Sequence, residues 1–435
     1  MSRKFKIIFS LLTIILIWVS SNLNFGKRNW QYILEADAKG YYAYLPAVFI
    51  YHDLNFGFFD HIEKEKYYNV NTYYDYRIGW KNHVIDKYYI GVAVAQMPFF
   101  FISHGLTLLT GKEADGYSYW YPVGVNLAAI FYGLAGLYCL YRWLRLKSIS
   151  DTAALWAVVI CGVGTHLFYY IIGEGGMSHV YSFFFINLWL LITTIFLIEL
   201  KSKWLLLSSL VLGMIVILRP VNGLIVLGLP MLFDRPKDIL QFLTKQFHAF
   251  KFTLVWAVFC FAIPVAIQML YYKMATGDWW VYSYGEEGFH FSDPHMMDIL
   301  FSYKKGLFLY TPICLVGLLL GLISRGSFAK QKFYAFFFFT TITYVLSSWW
   351  MWYYGGSFSS RVYIEFLFLF TWPIADFLEY NTKKTLKIAI RGLAIALIIL
   401  CQIQTYQYRY FQIHWVDMNK EKYWDVFLRL DKIER

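Results

Sequence analysis

Apolar residues along this chain gather into long runs divided by short polar stretches, with no sustained strand-like alternation. The runs lie near 7–25, 90–110, 119–141, 152–172, 178–199, 204–233, 252–272, 306–324, 333–350, 361–379 and 386–404. A helix needs about 20 such residues to cross a hydrocarbon core. In lipid a helix also satisfies its own backbone groups, so the pattern predicts an all-α polytopic membrane protein. The first run follows Met1-Ser2-Arg3-Lys4-Phe5-Lys6, and Ser20-Ser21-Asn22-Leu23-Asn24 after it make a weak cleavage site. It is read as a retained signal anchor with its basic end in the cytosol.

Sidedness follows from the basic clusters between runs: Arg3/Lys4/Lys6, Arg142/Arg145/Lys147, Lys201/Lys203, Arg235/Lys237/Lys245/Lys251, Arg325/Lys330/Lys332 and Lys383/Lys384/Lys387. If all face the cytosol, an even number of crossings separates each from the next. The run 90–110 breaks that parity and is interrupted by Gln96, Pro98, His104 and Gly105, so it is read as a helix lying at the outer interface. The run 204–233 is too long for one crossing, and Arg219-Pro220 in its middle divides it into two short helices. The expectation is about 11 transmembrane helices, amino end inside and carboxyl end outside. The large first outer loop, 26–118, contains interfacial helices; 273–305 forms a second outer loop and 405–435 an outer tail, all within one membrane-embedded domain.

Composition agrees with this class. Hydrophobic residues make up 59% of the 435 and charged residues 15%, with a mean hydropathy of +0.45; soluble domains carry about 25% charge. The net charge of +11 comes from clusters between apolar runs, which is the positive-inside pattern and excludes a nucleic-acid-binding stripe. Cys139, Cys161, Cys260, Cys314 and Cys401 all fall inside predicted spans, leaving no disulfide framework and no CxxC metal pattern.

Candidate chemistry lies on the outer side. Glu35-Ala36-Asp37 follows the first span, with Lys39-Gly40-Tyr41-Tyr42 after it and a short helix broken by Pro46 read over Ala43 to Tyr51. Asp37 is either an N-cap or a reactive carboxylate at the membrane face. Tyr353-Tyr354-Gly355-Gly356-Ser357-Phe358-Ser359-Ser360-Arg361 delivers an Arg to the outer mouth of a helix, a seat for phosphate or a snorkelling side chain. Arg219, Lys304 and Lys305 are further outer cations, and His179, with Glu174 nearby, either lines the cavity or packs in a hydrogen-bonded core. Aromatic clusters at 279–284 and 349–354, including Trp352, either form an interfacial belt or stack on a sugar ring. His52-Asp53 and Asp60-His61 lack zinc-site spacing, so no metal and no cofactor is indicated, a divalent cation being left open, and His290, Asp293 and His295 are read as polar loop residues within reach of the acceptor.

In their order along the chain these features resemble the C-type glycosyltransferases, polytopic enzymes that use polyprenyl-phosphate sugars. Relatives of that kind are the protein O-mannosyltransferases and the bacterial aminoarabinose and lipopolysaccharide sugar transferases. Glu35-Ala36-Asp37 is similar to the family's modified acidic motif in the first outer loop, with Glu35 in place of the first Asp. Met97-Pro98-Phe99-Phe100 opens the interfacial helix, and Tyr121 to Arg145 forms a span with a basic inner end. Arg219-Pro220 looks like the basic-Pro element of the middle spans, and Trp352 to Arg361 like the late outer loop. The resemblance implies an inverting transfer from a polyprenyl-phosphate donor to a hydroxyl of a glycan, lipid or protein acceptor. It implies Asp37, with Glu35, as catalytic acids and Arg361, Arg219, Lys304, Lys305, His179, Tyr41, Tyr42 and Trp352 around the substrates. The expected location is the plasma (inner) membrane with catalytic loops external or periplasmic; the absence of Asn-x-Ser/Thr suits a bacterial membrane. A polysaccharide polymerase or ligase, or a lipid-linked glycan transporter, is the alternative, although repeated halves typical of transporters are not visible.

Overall fold

The computed structural model describes residues 2–233, 239, 244–245 and 250–432. Arg235 and Lys237 of the fourth basic cluster, and 433–435 of the tail, lie outside the described residues. The protein is a helical bundle. Among the described residues six helices are long and apolar enough to cross a membrane: α1 (Arg3–Asn24), α3 (Gly91–Leu109), α4 (Trp120–Leu146), α7 (Ser178–Glu199), Lys251–Thr276 and Lys384–Arg409.

The run 333–350 forms one shorter helix, Lys332–Ser347, and the other predicted spans are interrupted, each where the sequence supplies a reason. The run 152–172 divides into α5 (Asp151–Val163) and α6 (Leu167–Ile172), between which Thr165 Oγ1 donates to the Cys161 carbonyl, 2.7 Å, and accepts from the Leu167 amide, 3.3 Å. The run 204–233 breaks where expected: α8 (Ser202–Leu218) stops at Arg219, whose backbone is extended (φ −156, ψ 113), and a tighter helix resumes over Pro220–Leu232. Proline is pre-set for a first helical turn and cannot donate to the preceding one. The run 306–324 is divided at Thr311, before Pro312. The run 361–379 opens as a tight turn, Arg361–Phe366, before Phe368–Tyr380.

Two expectations for the first outer loop need correction. The helix does not start at Ala43: α2 runs Asp37–Pro46 and continues, with wider pitch, over Ala47–Tyr51. Widening the turn after Pro46 accommodates the ring without ending the helix. The loop also holds a hairpin that an all-α reading missed, β1 (Arg77–Trp80) antiparallel to β2 (His83–Asp86), turning on Lys81-Asn82.

Hydrogen bonds between elements sort the loops into two ends. At one end Ser2 donates to Asp151 (2.8 Å), the Ser150 amide to Glu379 (3.0 Å), Lys147 to the Leu232 carbonyl (2.7 Å) and Gln331 to the Phe233 carbonyl (2.8 Å). Those contacts gather the neighbourhoods of five of the six basic clusters. At the opposite end lie residues 26–90, the 173–177 turn, Arg219, the 277–295 loop and 351–361. Lys87 pairs there with Glu287 (2.6 Å), and the His290 amide donates to the Ser348 carbonyl. Helix α3 runs antiparallel along the first half of α4: the Tyr132 hydroxyl reaches the Ala95 carbonyl (2.8 Å), and Trp120 reaches Thr110 (3.0 Å). Its Gly91 end is pressed on the backbone of Ile217 and Leu218, beside Arg219, where any Cβ would collide. Both termini of α3 therefore lie in the half of the bundle that carries the acidic motif.

Candidate functional site

Glycine lets the pieces of the site approach. At Gly176 a Cβ would strike Ala38, so its absence brings the 173–177 turn onto the first turn of α2. The N-cap position of α2 is Ala36, without a side-chain cap; Asp37 is the first helical residue. Ala36 has φ 48 and ψ −128, a conformation costly for any residue with a Cβ. That backbone turns the Asp37 carboxylate away from its own helix end and into the bundle.

There Asp37 Oδ2 accepts from Arg361 Nη2 at 2.8 Å and Oδ1 accepts from the Tyr88 hydroxyl at 2.7 Å. Tyr88 is hydrogen-bonded in turn to Tyr74 (2.6 Å) and lies against Tyr41, ring centroids 4.6 Å apart. The Asp37 side chain keeps 23% of its exposure although protein surrounds it, so it lines a recess. Burial would push its carboxyl up, but the Arg361 charge and the Tyr88 and Arg361 hydrogen bonds outweigh it and hold the carboxyl below its ordinary value. Asp37 is accordingly an ionised, positioned carboxylate.

Arg361 is buried. Its Nη1 lies 3.6 Å from the Met177 sulfur, and its Nε is enclosed without a hydrogen-bond partner. Four residues on, Glu365 is fully buried and accepts from His179 Nδ1 at 3.0 Å. Arg219 Nη1 stands 3.8 Å from the same Glu365 oxygen and 3.2 Å from both His179 ring nitrogens, and the guanidinium faces Tyr354 at 5.8 Å. If His179 donates through Nδ1, its Nε2 accepts from Arg219, while Glu365 Oε2 stays buried without a hydrogen-bond partner. Tyr41 joins the two clusters: its hydroxyl accepts from Ser178 at 3.3 Å, and it feels the charges of Arg219, Asp37 and Arg361.

Glu174 completes the surroundings. Enclosure among Tyr169, Tyr170 and Tyr408 pushes its carboxyl up to about 7 despite the pull of Arg361, with Glu35 and Asp37 adding to the rise. Lys305 is buried, and burial pulls its ammonium down to about 7, Glu174 opposing.

The structure thus brings Asp37, Arg361, Arg219, His179 and Tyr41 together. Other sequence candidates stand apart. Glu35 is exposed, makes no ion pair among the described residues, and feels the charges of Arg409 and Lys39 instead of Arg361. Tyr42 is a packing residue that donates to the Gly116 carbonyl at 2.5 Å. Lys305 donates to the carbonyls of Ser357 and Trp415, tying the 351–361 loop to the tail, and Lys304 covers the Tyr353 ring at 3.5 Å. Trp352 stacks on His295 at 5.7 Å. The aromatic clusters do meet, Tyr284 against Trp349 at 5.7 Å, joined by the bridge between Phe289 and Trp349. Tyr88 and Glu365 were missed. Glu365 had a usable signal, an ionisable residue within a predicted span; Tyr88 is one tyrosine among many and had none. Among the described residues no group of three or more His, Cys, Asp or Glu is placed to hold a metal ion.

No protein-family model matches the chain, and no curated protein matches it. Among solved structures it is similar to the archaeal oligosaccharyltransferase AglB from Archaeoglobus fulgidus, determined in complex with an inhibitory peptide and a dolichol-phosphate. The identity is 11% and the TM-score 0.46; the match covers 100% of this chain and 61% of that one, so the chain spans about three-fifths of that protein's length.

Proposed function

We propose that this protein is an inverting glycosyltransferase that moves a sugar from a polyprenyl-phosphate donor to an acceptor hydroxyl at the outer face of the plasma membrane. One observation carries the reading. Asp37 and Arg361, 324 positions apart, meet at 2.8 Å in a recess where the carboxylate is ionised and still accessible. Asp37 takes the acceptor proton as the acceptor oxygen attacks the anomeric carbon. The bond from that carbon to the phosphate oxygen breaks, and its electron pair leaves with the phosphate. Phosphate needs no acid to depart, so a second carboxylic acid of the glycosidase kind is unnecessary. It does need fixed positive charge, and such preorganised charge is often the largest catalytic contribution. Arg361 and Arg219 supply it, Arg361 through donors that Asp37 leaves unused. Lys305 is committed to backbone carbonyls, which removes it from this role.

The same reading gives the chain about 11 crossings, with α3 at the interface and the basic clusters in the cytosol. Membranes containing the protein should transfer radiolabel from polyprenyl-phosphate sugars, and Asp37→Asn membranes should not. Transfer from nucleotide sugars alone would overturn the donor assignment.

A further inference from the structure

At the end of the bundle opposite Asp37, an open groove of about 330 Å³ runs between α1 and α5. Ile8, Leu155, Trp156 and Val159 wall it, and Lys4 and Thr152 stand at its mouth. At about 30 Å³ per small group, it has room for roughly ten methylenes. Its walls offer water almost no partners, so an apolar chain suits it better than solvent. Its rim is cationic. Lys4 Nζ lies 3.5 Å from Thr152 Oγ1 and in no ion pair among the described residues. The Arg391 guanidinium lies 5.8 Å over the Trp156 ring, with its Nε enclosed and lacking a hydrogen-bond partner. Asp151, at the start of α5, accepts from Ser2 (2.8 Å) and Tyr141 (2.5 Å), and the charges of both Arg145 and Lys4 act on it without an ion-pair contact to Lys4.

We propose that this groove binds one acyl chain of an anionic phospholipid, with the lipid phosphate held between Lys4 and Arg391. The apolar walls take the chain, a snorkelling Lys reaches the head group, and the Arg391 guanidinium over Trp156 adds a second positive charge. Basic residues at the inner membrane surface attract anionic head groups in the same way. The site is independent of the glycosyltransferase reading and lies at the other end of the bundle from its recess.

The test is native mass spectrometry of the full-length protein released from bilayers of equal phosphatidylglycerol and phosphatidylcholine. The wild type should retain phosphatidylglycerol preferentially. Lys4→Gln and Arg391→Gln should each lower that preference about fivefold, the scale of one basic residue at an anionic surface, while Lys4→Arg should keep it. Leu155→Trp, which fills the groove, should reduce retention of both lipids with the protein still monodisperse. Millimolar inorganic phosphate should leave the lipid bound. Equal retention of the two lipids by the wild type, unchanged preference in both Gln variants, or displacement by phosphate alone would overturn the proposal.

Discussion

At the scale of single residues, Asp37 is held by two fixed donors, Arg361 and Tyr88. Asp37→Asn keeps the shape and an acceptor for Tyr88 but removes the charge facing Arg361. Loss of transfer by at least about 100-fold is expected, the lower range for a positioned base, at normal protein levels; near-wild-type turnover would reduce Asp37 to a structural partner of Arg361. Arg361→Lys keeps the charge and loses the planar fork, so turnover should fall clearly and fall further in Arg361→Ala. The Ala variant should also be less stable, because it leaves Asp37 enclosed without its counter-ion. Unchanged turnover and donor affinity in Arg361→Ala would pass the phosphate role to Arg219 alone. Glu174 gives a different signature. Its carboxyl stands near 7 in the folded protein against 4.5 as the ordinary value. Between those values the unfolded chain gives up the proton while the folded chain keeps it, so stability falls as pH rises from about 4.5 to 7 and is level above. Glu174→Gln removes that decline, and its Tm advantage should widen by roughly 3–5 °C over that window in detergent; a constant offset would mean that Glu174 ionises freely.

At the scale of elements, the first turn of α2 stores strain where it delivers Asp37. Ala36 occupies a glycine-like conformation (φ 48, ψ −128), and its neighbours on both sides are the acids of the motif. Such a conformation costs about 1–3 kcal/mol, and glycine relieves it at a loss of about 0.5–1 kcal/mol in chain entropy. Ala36→Gly should therefore raise the Tm or leave it level, while Ala36→Val should lower both Tm and turnover by displacing Asp37. Equal stability of the Gly and Val variants would show that the backbone there is relaxed. None of this strain was legible from Glu35-Ala36-Asp37, since alanine carries no mark of positive φ. The motif's polarity and place after α1 were legible. Elements with a strong local signal could be read directly: long apolar runs became helices, and Arg219-Pro220 became a break. Elements decided by packing could not, which is why α2 starts six residues before the predicted helix and the 77–86 hairpin was missed.

At the scale of the whole molecule, side-chain contacts arrange the chain into two chemically unlike ends, and the parity argument proposes the end with the basic clusters as cytosolic. Runs of apolar residues and intervening Lys and Arg are one-dimensional features, so they carry sidedness; the meeting of Asp37 with Arg361, or of Arg219 with Glu365, depends on which helices touch and is invisible along the chain. By length and composition α3 is as capable of crossing as its neighbours. The proposal keeps it on the outer side. Its Gly91 end abuts Ile217 beside Arg219 and its other end meets Trp120, so both ends belong with the acidic motif, and Phe101, Ile102, Leu106, Leu108 and Leu109 are left exposed to face lipid. A crossing α3 would send Glu113 and Asp115 to the cytosol, yet Lys66 of the first loop pairs with both, 2.7 Å from Asp115. Reporter fusions after Lys147, Lys203 and Lys384 should therefore read cytosolic, and fusions after Glu113 and Lys420 external. An internal signal after Glu113 would put α3 across the membrane, reverse the parity of everything downstream, and undo the proposed arrangement in which Asp37, Arg361 and Arg219 meet at the outer face.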